Sequence, residues 1–155
     1  MEIDSLVTQD LSDAGTWHPI TLYGKPADFD LLILGDDSDV VQQYGRKSMK
    51  KLKGMITKET QTKDEEYSDE TIDELSDSTD ENVLVRIVGI RGWKVERKGS
   101  KEVSREPEHV ILCDTELKND KQSYKLLIQK IPAIKDIVLK ISRDRTNFLS
   151  GKSRN

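Results

Sequence analysis

The residues most able to do chemistry in this 155-residue chain are few: two histidines, His18 and His109, and one cysteine, Cys113. Nucleophilic catalysis needs a nucleophile, a base to take its proton and a group to orient that base. Neither histidine stands in a motif that supplies such a set, so both read as ordinary structural or surface residues and no catalytic residue is assigned. A Cys/His metal site needs several soft ligands, and three residues scattered along the chain do not provide them. Among the carboxylates, Asp36-Asp37-Ser38-Asp39 lacks the alternating ligands and the following glycine of a calcium loop and is better explained as a helix cap. Asp69, Asp73 and Asp77 would line one helical face, and such a row is usually solvated. Gly151-Lys152-Ser153 lacks the upstream glycine of a phosphate loop. No metal and no cofactor is therefore expected.

What remains is binding chemistry. Arg46, Lys47, Lys50, Lys51 and Lys53 form a basic cluster able to neutralise phosphates or acidic protein surfaces. It holds no aromatic for base stacking, and an acidic block lies directly downstream, so a solvated or acid-paired helix face is favoured over nucleic-acid contact. Phe148 and Leu149 are two large apolar residues placed just before a polar tail. They belong either in the core or against a partner. Trp17 and Trp93 are the only tryptophans and read first as core anchors, since each can bury a large area.

The charge pattern supports a binding role. Residues 1–41 carry a net −8, residues 42–63 a net +6, residues 64–81 a net −10 and residues 82–155 a net +8, which leaves −4 overall. Alternating blocks of this kind fold back on themselves or present opposite faces to neighbouring subunits. No apolar run approaches the ~20 residues that span a bilayer, and no membrane partner is expected. Met1–Ser5 lacks the positive start of a signal peptide, which points to a cytoplasmic chain.

These residues must be positioned by an α+β fold. Residues 1–15 read as a flexible acidic arm, followed by a hairpin and basic helix over 16–59. Strands are expected over 17–23 and 28–35, with 24–27 as the turn and Ile20, Leu22, Leu32 and Leu34 facing inward. Ser38 or Asp37 caps a helix from Val40 to Lys58, whose apolar stripe is Val41, Tyr44, Ser48, Leu52 and Met55. Gly45 and Gly54 should bend it or fray its end. Residues 60–70 read as an acidic linker, and 71–149 as the mainly helical portion of the same domain. In that portion a single long helix is expected from Ser68 through the apolar run 83–90, although the β-branched residues there allow a strand. Gly89 and Gly92 should break the pattern before a short strand at 94–97. Pro107 should open a helix reaching Cys113, Asp120 or Ser123 another reaching Lys130, and Pro132 a last one presenting Ile134, Ile137, Val138 and Ile141. Residues 150–155 form a polar tail.

The order of these features resembles a known family. Asp10, Asp13, Gly15 and Trp17 precede a hairpin, and Gly35-Asp36-Asp37-Ser38-Asp39 leads into a helix. Gly92-Trp93 stands in the middle, and the chain closes on Ile131-Pro132-Ala133-Ile134 and Arg143-Asp144-Arg145-Thr146-Asn147-Phe148-Leu149. This resembles small proteins from the structural-gene cassettes of long-tailed bacteriophages, many of which look like tail assembly chaperones. The resemblance implies a non-enzymatic protein that binds the tape-measure protein or tail tube subunits in the host cytoplasm, without cofactor or catalytic residues. Residues 46–82 have no counterpart in it and read as an insertion. Two other readings stand beside it: a permanent neck or head–tail connector protein of the virion, capable of self-association, and a small DNA-associated or regulatory protein using the basic helix.

Overall fold

Two-residue turns set the outline of the first sheet. The computed structural model describes residues 3–61 and 79–149, without the side chains of Ser5 and of residues 55–61. Strand β1 (Thr16–Leu22) reverses into β2 (Lys25–Ile33) through Tyr23 and Gly24, whose φ values of 53° and 78° are both left-handed. Such a turn matches the twist of a hairpin, whereas the longer 24–27 connection expected from the sequence does not form. Pro26 is instead a strand residue opposite Thr21. Strand β3 (Ile87–Lys98) pairs with β2, and β4 (Lys101–Glu108) pairs with β3, giving an antiparallel meander in the order β1-β2-β3-β4. A second hairpin joins β5 (Val110–Leu112) to β6 (Thr115–Leu117) through Cys113 and Asp114, again with left-handed φ values, of 51° and 62°.

Before the sheet come a 3-10 turn (Asp4–Leu6) and helix α1 (Gln9–Ala14). After β2 runs α2 (Asp39–Gln61), and the described residues of α3 cover 79–84. Helices α4 (Lys121–Lys130) and α5 (Ala133–Arg143) follow β6, and a 3-10 turn (Arg145–Phe148) closes the described chain. Strand alternation puts Leu31 and Ile33 on one face of the sheet, and a register irregularity between Leu32 and Ile33 brings their partners Ile90 and Ile87 to the same face. There they bury with Ile20, Val83, Leu127, Ile128, Ile134 and Val138 in one core. The α5 stripe read from the sequence supplies Ile134 and Val138, both 0% exposed. Asp120 caps α4, accepting from the Ser123 amide at 2.7 Å.

The α+β class with an N-terminal hairpin holds, but several elements differ from expectation. Residues 9–14 are not a loose arm: α1 is pinned by Ser12, 1% exposed, whose carbonyl accepts from the Gly35 amide at 3.2 Å. Helix α2 runs unbroken through Gly45 and Gly54. The long helix expected across 83–90 stops at residue 84, and β3 takes up Ile87 onward, straight through Gly89 and Gly92. The β-branched residues prevail here because the backbone is wanted as a sheet interior. Both glycines are places of close approach rather than breaks: a Cβ on Gly92 would lie 2.5 Å from the Glu108 carbonyl oxygen. Pro107 opens no helix; it sits on β4 at the sheet edge, where a missing N–H costs no ladder bond. The stretch 71–149 is thus strand-rich from Ile87 to Leu117. Most of the 60–70 linker, the Asp69–Asp77 row and the 150–155 tail lie outside the described residues.

Candidate functional site

The face of the sheet opposite the core carries a stacked row of tryptophan and arginine. Cross-strand register places Trp17 on β1, Leu32 on β2 and Gly89 on β3 side by side, and further along the sheet it sets Asp30 beside Arg91. Trp93 lies two residues beyond Arg91 on β3, opposite Pro107. A Cβ on Gly89 would fall 2.9 Å from the Trp17 ring. The glycine is therefore what lets the indole lie down across the sheet. The Arg91 guanidinium stands 4.2 Å from the Trp17 ring centre and 5.4 Å from that of Trp93, and Arg105 on β4 covers Trp93 at 5.2 Å. Four side chains from three strands thus alternate as ring, cation, ring, cation. Each such contact contributes roughly 0.5–1 kcal/mol at an exposed site.

Asp30 locks the row. Its side chain is 6% exposed, and one oxygen accepts from Arg91 Nε at 2.8 Å and from Trp93 Nε1 at 2.9 Å. A buried carboxylate is costly unless its lone pairs are filled, and here a cation and an indole N–H fill them. Alongside, Arg97 pairs with Asp28 and Arg105 with Glu102. The Arg97 hydrogen bonds hold the Asp28 carboxyl below its ordinary value, and those of Arg105 do the same for Glu102. Trp17 is 37% exposed and Trp93 half-buried, so neither is the core anchor the sequence suggested. Sequence reasoning also missed Arg91, Arg105, Asp30 and Gly89. The alternation Arg91-Gly92-Trp93 was the available signal, readable only once 87–98 is known to be a strand.

The predicted partner-binding residues separate. Arg46, Lys47, Lys50 and Lys51 are exposed on α2. At 100° per residue Arg46 and Lys50 lie opposite the stripe begun by Val41 and Tyr44, while Lys47 and Lys51 fall on its flank. Among the described α2 side chains only Val41 is buried, so most of this helix lies away from the core. Ser38 caps it, accepting from the Val41 amide at 3.1 Å, and Asp13 accepts from the Asp39 amide at 2.7 Å. Phe148 belongs to the core: it is 1% exposed, 6.2 Å from the His18 ring, and against Gly35. Leu149 is half-buried. Neither the basic cluster nor the Phe-Leu pair adjoins the stacked row through any described contact.

The titratable groups singled out from the sequence have structural uses. Asp36 lies 3.0 Å from Arg86, which is 6% exposed and also donates to the Asn82 side chain at 2.6 Å and to Ser142 Oγ at 2.9 Å. Asp37 accepts from Thr8 and from Arg145, and those hydrogen bonds, that of Arg145 first, depress its carboxyl. His109 Nδ1 is 2.7 Å from Glu116 at the rim of a cleft of about 410 Å³ between the two sheets, yet the histidine is 81% exposed. Cys113 sits four residues on at the far end of that hairpin, about 13 Å of strand away. That spacing gives the imidazole no thiol to activate. Among the described residues, no group of three His, Cys, Asp or Glu could hold a metal, and no helix is long and apolar enough to cross a membrane. No protein-family model, curated protein or solved structure matches the chain.

Proposed function

We propose that this chain is a non-catalytic binding protein of the tail-assembly-chaperone kind, engaging the tape-measure protein or tail tube subunits of a long-tailed phage in the host cytoplasm. The observation that carries a binding role is the exposed row Trp17, Arg91, Trp93 and Arg105, held over Asp30. Trp and Arg are the residues that dominate binding energy at protein interfaces. Here they are fixed in place before any partner arrives, so little side-chain entropy is lost on contact. The phage assignment adds the likeness of the Gly35–Asp39, Gly92-Trp93 and Ile131–Leu149 segments to tail chaperones. A chaperone that coats a long client works through repeated moderate contacts and charge-guided encounter, which the alternating charge blocks suit.

The test is co-expression with the tape-measure and tail tube proteins of the same genome. The expected result is co-purification with one of them and a larger soluble fraction of that client. A client equally soluble with and without this chain, and failing to co-purify, refutes the chaperone role. Abundant copies in purified virions would transfer the role to a neck or connector protein. The exposed cluster Arg46, Lys47 and Lys50 favours one further reading, DNA association. Retention on DNA-cellulose that falls steeply between low and moderate salt would support it.

A further inference from the structure

We infer that the outer sheet face is a receptor for a protein carboxylate, an Asp or Glu side chain flanked by apolar residues, gripped by the open end of Arg91 between Trp17 and Trp93. The inference rests on the outer face being the contact surface and adds the chemistry of what it contacts.

The three arginines of this face are not equivalent. Arg97 turns both terminal nitrogens onto Asp28, and Arg105 commits Nε and one terminal nitrogen to Glu102. Arg91 spends only Nε, on Asp30. Its two terminal nitrogens, with four N–H groups, have no acceptor among the described residues, although its side chain is 44% exposed and held on two sides by indoles. A guanidinium held by Nε presents its other edge as two parallel donors, which is the geometry that grips a carboxylate through both oxygens. The rings on either side lower the local dielectric beside that edge, which strengthens the contact.

Charge decides between a carboxylate and a phosphate. Each arginine of the face already has its own carboxylate: Asp30, Asp28 and Glu102. A phosphate monoester would bring nearly two negative charges toward these three acids, whereas a carboxylate brings one. A nucleic-acid backbone also needs a track of cations, and Lys94, next to Trp93, projects to the other face by strand alternation. The two ring centres lie 4.2 Å and 5.4 Å from the Arg91 guanidinium, so both flank the same cation. A peptide with its acidic residue over Arg91 can therefore lay apolar neighbours on both indoles.

Trp17 and Trp93 are the only tryptophans, so intrinsic fluorescence reads this face directly. The probe is a random copolymer of glutamate and tyrosine, titrated into the full chain, with single-stranded oligothymidylate as the parallel arm. A saturable emission change with the copolymer is expected, weakened at least about tenfold in Arg91→Lys, which keeps the charge and loses the fork. The same affinity is expected in Lys125→Gln on α4. Should Arg91→Lys fail to fold, the Trp93 indole N–H resonance of the unaltered chain must shift during the same titration. No saturable change with the copolymer, or an affinity that Arg91→Lys leaves intact, overturns the inference. So does stronger binding of oligothymidylate than of the copolymer. If tape-measure co-purification survives while the copolymer fails, the carboxylate receptor is wrong and the chaperone reading stands.

Discussion

Replacing Phe148 with alanine tests whether the end of the described chain belongs to the core. The ring is 1% exposed and lies against the bare Cα of Gly35, where an added Cβ would come within 3.0 Å of the Phe148 ring and 2.8 Å of Ser12 Cβ. It also faces the His18 ring. The substitution removes a fully buried aromatic from a position bounded by β1, by α1 and by the loop before α2. A buried Phe→Ala change costs about 3–5 kcal/mol. For a chain of this size, each kcal/mol shifts the melting temperature by roughly 2–4 °C. A fall of about 6–20 °C is expected by calorimetry or by circular dichroism at 222 nm. Leu149→Ala, at a half-buried side chain, should cost clearly less. Gly35→Ala should cost roughly 1–3 kcal/mol from the opposite cause, overfilling the same space. A Phe148→Ala protein that melts within about 2 °C of the original would show that the ring is not held there, and the whole account of this corner would fail.

Three further outcomes follow from the polar contacts. Arg86→Met should destabilise by about 3 kcal/mol, the low end for a broken buried pair, because the partner Asp36 keeps 29% of its side chain exposed; denaturant titration measures it. Ser38→Ala should cost about 1 kcal/mol by removing the α2 cap, read as an earlier loss of helical signal on heating. The Asp37 carboxyl lies below its usual value in the folded chain, so its contribution is present above the unfolded pKa near 3.8. That contribution disappears as pH falls through the depressed folded value, and Asp37→Asn should flatten this region of the acid stability profile.

The hairpin, the capped basic helix and the last two helices were legible because their signals are local. Asp120 fills an amide three residues away, and the α5 stripe repeats within one element. The middle of the chain was not legible, because there the deciding contacts are distant in sequence. Gly89 reads as a breaker until Trp17, seventy-two positions earlier, is found lying on it. Pro107 reads as a helix opener until β3 is seen to leave it on an edge strand. Asp30 reads as one acidic residue in an apolar run, and its purpose appears only when Arg91 and Trp93 arrive from the far side of the acidic block. For Phe148 the sequence leaves core and partner both open, and packing against Gly35 decides for the core.

Arg86 also ties a knot between distant parts of the chain. Asp36 and Arg86 are joined at 3.0 Å, with Leu34 drawn into the same junction through a 2.8 Å bond from its amide to the Arg86 carbonyl. Neither bond uses a residue of the basic helix, although Val41 near its start, and Val83 and Leu84 just before Arg86, are buried in the body. Closing a longer loop on fixed ends costs only about 0.6 kcal/mol for each doubling of length. Changing the number or the charge of the residues between α2 and α3 is therefore expected to leave this ion pair in place. One guanidinium fixes where the two ends of that connection meet, whatever its length.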